Sequence, residues 1–237
     1  MVLQGTLVNT IAIIFGGMIG AFLPNIPLKM RDTVMQGLGL AVIIQGILMG
    51  LKTENFLLVI LSLVLGGVLG EILKIDDKLD QLGHWLERKL GGSKKGNISN
   101  AFVTATLVYT IGAMAILGSL NSGLNLDHRL LYLKAMLDGF SAIIFASTLG
   151  FGVVFSAVPV LIYQGMIALL AKYIHLLFSQ ELLDTMIVEI TATGGILIIA
   201  IAINILELKK INVANMLPAI IIAPIGVILV QWISKLF

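Results

Sequence analysis

Long apolar stretches, almost free of charge, alternate along the chain with short runs of charged, glycine, proline or asparagine residues. They occupy residues 5–23, 33–50, 56–73, 100–120, 130–149, 153–173, 190–206 and 213–233. A helix needs roughly 20 apolar residues to cross the hydrocarbon core of a bilayer, so the pattern predicts an all-α, polytopic membrane helix bundle of about eight transmembrane helices. Two further segments carry a helical period without being apolar throughout. In the first, Ile75, Leu79, Leu82, Leu86 and Leu90 recur at three- and four-residue spacing among acidic and basic residues, with Trp85 suited to the headgroup layer. That is the pattern of an amphipathic helix lying on the membrane surface. In the second, Leu182, Leu183, Met186 and Ile187 stand beside Glu181 and Asp184, close enough to the seventh span to run into it.

Composition agrees with this picture. Of the 237 residues 58% are apolar and only 12% charged, about half the charged fraction of a soluble domain. A net charge of +2 gives no reason to expect a nucleic-acid partner, and the basic residues instead set orientation. Lys29, Arg31, Lys74, Lys78, Arg88, Lys89, Lys94, Lys95, Lys209 and Lys210 fall on one side of the predicted membrane, and Lys52, Arg129, Lys134, Lys172 and Lys235 on the other. The richer side is expected to be cytoplasmic, with both termini external. Lys29 is the first cation, so residues 3–23 lack the basic head of a secretory signal and read as a retained span. With no cysteine, disulfides, thiolate nucleophiles and cysteine-held metals are excluded.

The polar run Gly91-Gly92-Ser93-Lys94-Lys95-Gly96-Asn97 marks a linker. It divides a first membrane half with its cytoplasmic amphipathic helix (1–90) from a linker (91–99) and a second half (100–237). Sliding span one onto span four pairs Thr10 with Thr106 and Gly16 with Gly112, a faint sign of repetition in glycine-rich sequence. A three-span repeat would be inverted in the membrane, as in many transporters.

Few residues in the spans can carry chemistry. Lys134 and Asp138 lie four apart on one face of span five. Intramembrane charges face a partner or a cavity, so the two readings are a neutralised structural pair and a functional acid, with Gly139 and Ser141 giving the carboxylate room and a neighbour. Ser147 and Thr148 end span five in a polar run that is either an ordinary tight hairpin or a re-entrant tip. Glu189, Thr191, Thr193, Gly194 and Gly195 combine an acid, two hydroxyls and two flexible positions. They read either as a broken helix exposing carbonyls to a cation or as a first helical turn with an acid favoured by the macrodipole. Asn9, Thr10, Gln36, Gln45, Gln164 and Asn204 are uncharged polar residues, most often interhelical glue. Gly16-x-x-x-Gly20, Gly46-x-x-x-Gly50 and Gly66-x-x-x-Gly70 are packing stripes, and the same stripes suit a homodimer interface.

His84, His128 and His175 are far apart, and neither metal-ligand spacing nor a nucleophile elbow occurs. No P-loop or dinucleotide fingerprint is present. No enzyme, cofactor or metal centre is therefore expected.

The segments Gly118-Ser-Leu-Asn-Ser-Gly-Leu-Asn-Leu-Asp127, Lys134-Ala-Met-Leu-Asp138, Ala146-Ser-Thr-Leu-Gly150 and Asn215-Met-Leu-Pro218 resemble the YqgA/YdfK-like family of bacterial multi-pass inner-membrane proteins. The likeness runs almost end to end, from the amino-terminal Gly5-Thr6 and Asn9 onward. It implies a bacterial plasma membrane and, since the family is a domain of unknown function, no activity. Where a Gly-Asp pair would be expected before span five, this chain has Asn125-Leu126-Asp127. The expectation taken to the structure is a gradient-driven transporter or channel for a small solute or cation among membrane lipids. Its binding residues would come from Asn9, Asp138, Ser141, Ser147, Thr148, Glu189, Thr191 and Thr193. The alternative is a non-transporting membrane scaffold or assembly subunit.

Overall fold

The computed structural model describes residues 1–23, 27–89 and 98–234, and among them all regular structure is helical. The elements are α1 (Gln4–Phe22), α2 (Leu28–Gly50), α3 (Phe56–Leu73), α4 (Ile75–Lys89), α5 (Ile98–Thr110), α6 (Ala113–Asn125) and α7 (Arg129–Leu149). The one-turn α8 (Gly152–Phe155), α9 (Ala157–Leu177), α10 (Gln180–Ile205), a 3-10 turn (Val213–Met216) and α11 (Ala219–Ser234) complete the order. Among the described residues, seven segments are long and apolar enough to cross a membrane, and α5 with α6 makes an eighth when the bent pair is counted as one broken span. The predicted linker, Gly91 to Asn97, lies outside the described residues.

The helices depart from the sequence expectation in two places. Span four is not continuous: α5 and α6 meet at 61°, because Gly112 adopts φ +141°, a backbone state open to glycine and closed to most other residues. Helix α10, conversely, neither breaks nor begins at Glu189. It starts after Ser179, whose side chain accepts a hydrogen bond from the Leu182 N–H, and continues unbroken past Gly195. Within it the buried Thr191 hydroxyl is satisfied by donating to the Ile187 carbonyl at 2.6 Å. The turn after α7 is a tight hairpin in which Gly150, at φ +101°, reverses the chain before α8.

The chain forms two compact units. The first comprises Met1–Gln36, Lys78–Thr110 and Met114–Ile174; the second comprises Gly37–Asp77, Ile111–Ala113 and His175–Phe237. In the first, α1 and α7 pack in parallel: Gly5 meets Leu131, Gly16 meets Gly139 and Ala142, and Gly20 meets Ile143 and Ala146. Side chains at Gly16 and Gly20 would overlap the Gly139 and Ile143 carbonyl oxygens, so the glycines permit a backbone-to-backbone approach that only Cα hydrogens can tolerate. Helix α9 runs antiparallel to α1, with Gly165 near Leu3 and, at the other end, Val154 against Gly17. The bent pair follows α8 and α9 along their length, since Gly152 packs on Ile98 and Ala101 while Gly123 packs on Ala168 and Ala171.

The second unit is built on the same rule. Gly46 and Gly50 of α2 lie against Gly195, Ile196 and Ile199 of α10, while Gly66 and Gly70 of α3 lie against Ala219 and Asn215. Ile111 covers Gly194. Outward-facing Leu, Ile, Val and Phe residues on α1, α3, α7, α9 and α11 remain exposed, as expected of surfaces solvated by lipid rather than water.

Candidate functional site

The first unit contains a buried polar cluster contributed by three helices. On α7, Lys134 and Asp138 are one turn apart, and the Lys134 Nζ lies 3.0 Å from Asp138 Oδ1 and 2.9 Å from Oδ2. The pair forms because helical positions i and i+4 share a face, and a cation beside the carboxylate offsets the cost of burying either charge. The parallel contact of α1 brings up Asn9, whose Nδ2 donates to Asp138 Oδ2 at 3.0 Å and, more weakly, to Gln164 Oε1 of α9 at 3.4 Å. Asn9 and Gln164 are wholly buried, and Lys134 and Asp138 are 7% and 6% exposed.

This cluster is not saturated. Asn9 Oδ1, Gln164 Nε2 and Thr6 Oγ1 are buried without a hydrogen-bond partner. The Tyr109 hydroxyl of α5, close to Ser141 and Asp138, makes no hydrogen bond of good geometry. Buried polar groups are nearly always paired, so several unspent donors and acceptors beside one ion pair set this cluster apart. Tyr109 is held by packing on Phe145, their ring centroids 6.2 Å apart.

Of the residues expected at the site, Asn9 and Asp138 thus meet across 129 positions of sequence. Ser141 is adjacent but gives its hydrogen to the Asp138 carbonyl at 3.0 Å. Ser147 and Thr148 do not join them. They lie about 13–15 Å further along α7 at the rise of a helix, and both donate to the Ile144 carbonyl at 2.8 Å.

Glu189, Thr191 and Thr193 belong to the second unit. Glu189 is 1% exposed and fully engaged: its carboxylate accepts from the Thr53 hydroxyl at 2.6 Å and from the Glu54 and Asn55 backbone N–H groups at 3.0 and 3.1 Å. Asn55 is also the N-cap of α3, accepting from the Leu58 N–H at 3.2 Å. Glu189 therefore fastens α10 to the start of α3, where a negative charge is favoured by the helix dipole. Thr193 is wholly buried with its hydroxyl unpaired. At the other end of α3, Asn215 donates to Glu71 Oε2 at 2.7 Å and accepts from the Asp76 N–H at 2.8 Å, tying the 3-10 turn to the junction of α3 and α4.

Sequence reasoning missed Tyr109, Thr53 and Asn55, and read Gln164 only as glue. Gln164 is a lone amide midway along an apolar span, a signal comparable to that of Asn9. The Thr-Glu-Asn run before span three was legible as a helix start, but nothing in it shows that Glu189 supplies the anion.

A polytopic membrane helix bundle holding a buried ion pair beside unpaired polar side chains is the class that fold and site define. The chain belongs to the DUF554 family, proteins of unknown function, whose family model matches residues 4–228. It is 33% identical over 232 residues to the uncharacterized membrane protein YdfK of Bacillus subtilis (strain 168), covering 96% of each chain. It is 30% identical over 236 residues to the uncharacterized protein YqgA of Escherichia coli (strain K12), covering 97% of this chain and 99% of that protein. No solved structure gives a significant match.

Proposed function

We propose that this protein is a gradient-driven transporter or channel for a small solute or ion in the bacterial inner membrane, with both termini external. The observation that carries the reading is the buried cluster of Asn9, Lys134, Asp138 and Gln164, in which donors and acceptors remain unspent between three helices. A site that stays polar at such depth costs stability, and that cost is explained when the site binds cargo. Energy from a gradient fits a chain without a nucleotide motif. Lipids are the solvent of the exposed apolar faces, and no enzymatic chemistry is assigned.

Two observations favour the second reading, a scaffold or assembly subunit: Lys134 already neutralises Asp138, and Glu189 is saturated. Thermal melts of the purified protein against a panel of cations and small metabolites separate the two, since a ligand that binds only the folded state raises the melting temperature. Transport predicts a ligand-dependent rise that a well-folded Asp138→Asn variant lacks. A scaffold predicts no rise with any member of the panel.

A further inference from the structure

We propose that the Asp138 cluster is a monovalent-cation site in which the Lys134 ammonium is the tethered resident counter-ion, displaced when the free cation binds. The inference rests on the transport reading of the same site and names its cargo class. Asn9 Nδ2 sits 3.0 Å from Asp138 Oδ2 and 3.4 Å from Gln164 Oε1, so a single atom occupies the space between two oxygens of different helices. The other end of that amide, Asn9 Oδ1, is buried with no partner. Half a turn about the last side-chain torsion of Asn9 exchanges the two ends. Oxygens from α1, α7 and α9 then face one another, an arrangement that a cation bound against all three relieves, and both carboxylate oxygens are freed for it once Lys134 leaves.

An all-oxygen set suits a hard cation rather than a soft one. The charge count selects the valence: among the described residues at the cluster, Asp138 is the one anion, and α1, α5 and α9 contribute the uncharged Asn9, Tyr109 and Gln164. One negative charge balances one monovalent cation, while a divalent ion would leave a net positive charge in a low-dielectric site. For the same reason the cation cannot simply join the ion pair, and Lys134 must move out. Its position allows this. Lys134 lies five residues inside α7, about 7.5 Å from the helix start at 1.5 Å per residue. Helical side chains lean toward the N-terminus, and a lysine near a helix end extends its ammonium to the membrane surface.

The experiment compares melting temperatures of the purified full-length protein in sodium, potassium and choline chloride at equal ionic strength. A saturable rise in sodium or potassium over choline is expected, and Asp138→Asn should abolish it. Lys134→Met removes the competitor, so half-saturation should fall at least tenfold, while the protein in choline should melt lower because its carboxylate is uncompensated. Should Lys134→Met not fold, Asn9→Ala serves instead: without the amide oxygen, half-saturation should rise about tenfold. No difference among the three salts in the parent protein overturns the cation assignment, as does a rise that persists in Asp138→Asn. An Asp138-dependent response to a metabolite with none to either cation overturns this inference alone and leaves the transport reading standing; no response to any solute overturns both.

Discussion

At the scale of single residues, burial decides what a charged side chain does in this protein. Asp127 and Arg129, at the turn before α7, form an ion pair with Arg129 Nη2 2.6 Å from Asp127 Oδ2. Hydrogen bonding from Arg129 holds the Asp127 carboxyl at about 2, below its usual 3.8. A depressed carboxyl stabilises the fold above its ordinary value, and that contribution is lost as pH falls through about 2. Asp127→Asn should therefore lower stability slightly at neutral pH, since the pair is exposed, and this difference from the parent protein should vanish as pH falls from roughly 4 to 2. Glu189 is the buried opposite. Glu189→Gln places an NH2 group among three donors, leaves at least one unpaired, and should cost about 1–3 kcal/mol in denaturation without altering any cation response. In the sequence Glu189 stood out as an acid opening an apolar span, and Asp127 only as part of the loop before span five. Their partners were less visible: Arg129 is two residues from Asp127, but Thr53 is 136 positions from Glu189, and no local pattern encodes such a distance.

At the scale of helices, glycine placement separates contact faces from lipid faces. A side chain at Gly16, Gly20 or Gly70 would overlap a carbonyl oxygen of the facing segment, whereas Gly37 and Gly67 have nothing within 4 Å. Gly70→Ala and Gly20→Ala should thus lower the melting temperature sharply, with a cost of 1–3 kcal/mol or more from overpacking. Gly37→Ala and Gly67→Ala should be neutral or stabilising by up to about 1 kcal/mol through helix propensity. Gly112 is a third case. Its nearest neighbour is the Met49 methyl at 3.8 Å, so alanine fits sterically, yet φ +141° makes Gly112→Ala costly by about 1–3 kcal/mol of backbone strain. The glycine stripes were legible as packing motifs, but which glycine breaks a helix was not. Apolar sequence continues unchanged through Val108-Tyr-Thr-Ile-Gly-Ala-Met114, and the positive φ arises in the folded backbone. The start of α10 was half legible: the apolar periodicity from Leu182 runs into the seventh span, and Ser179 is a recognisable cap.

At the scale of the molecule, the direction of helix packing tests the number of crossings. Because α1 and α7 run parallel, the chain must cross the membrane an odd number of times between them. Helices α2 and α3 supply two crossings, and the bent pair α5–α6 must supply the third. A re-entrant α5–α6 would return to its starting side and force α7 antiparallel to α1. The natural absence of cysteine makes the test direct, since each introduced thiol is the single one in the chain. Gln4→Cys and Leu126→Cys should react with an impermeant maleimide from the same side of right-side-out vesicles, the external side if the cation distribution sets orientation. Leu23→Cys and Phe151→Cys should react only after the vesicles are opened, because α1 and α7 end there together. Labelling of Gln4→Cys and Leu126→Cys from opposite sides would remove one crossing between α1 and α7. The broken span would then be a re-entrant loop, and the parallel packing that carries Asn9 to Asp138 could not exist in a membrane.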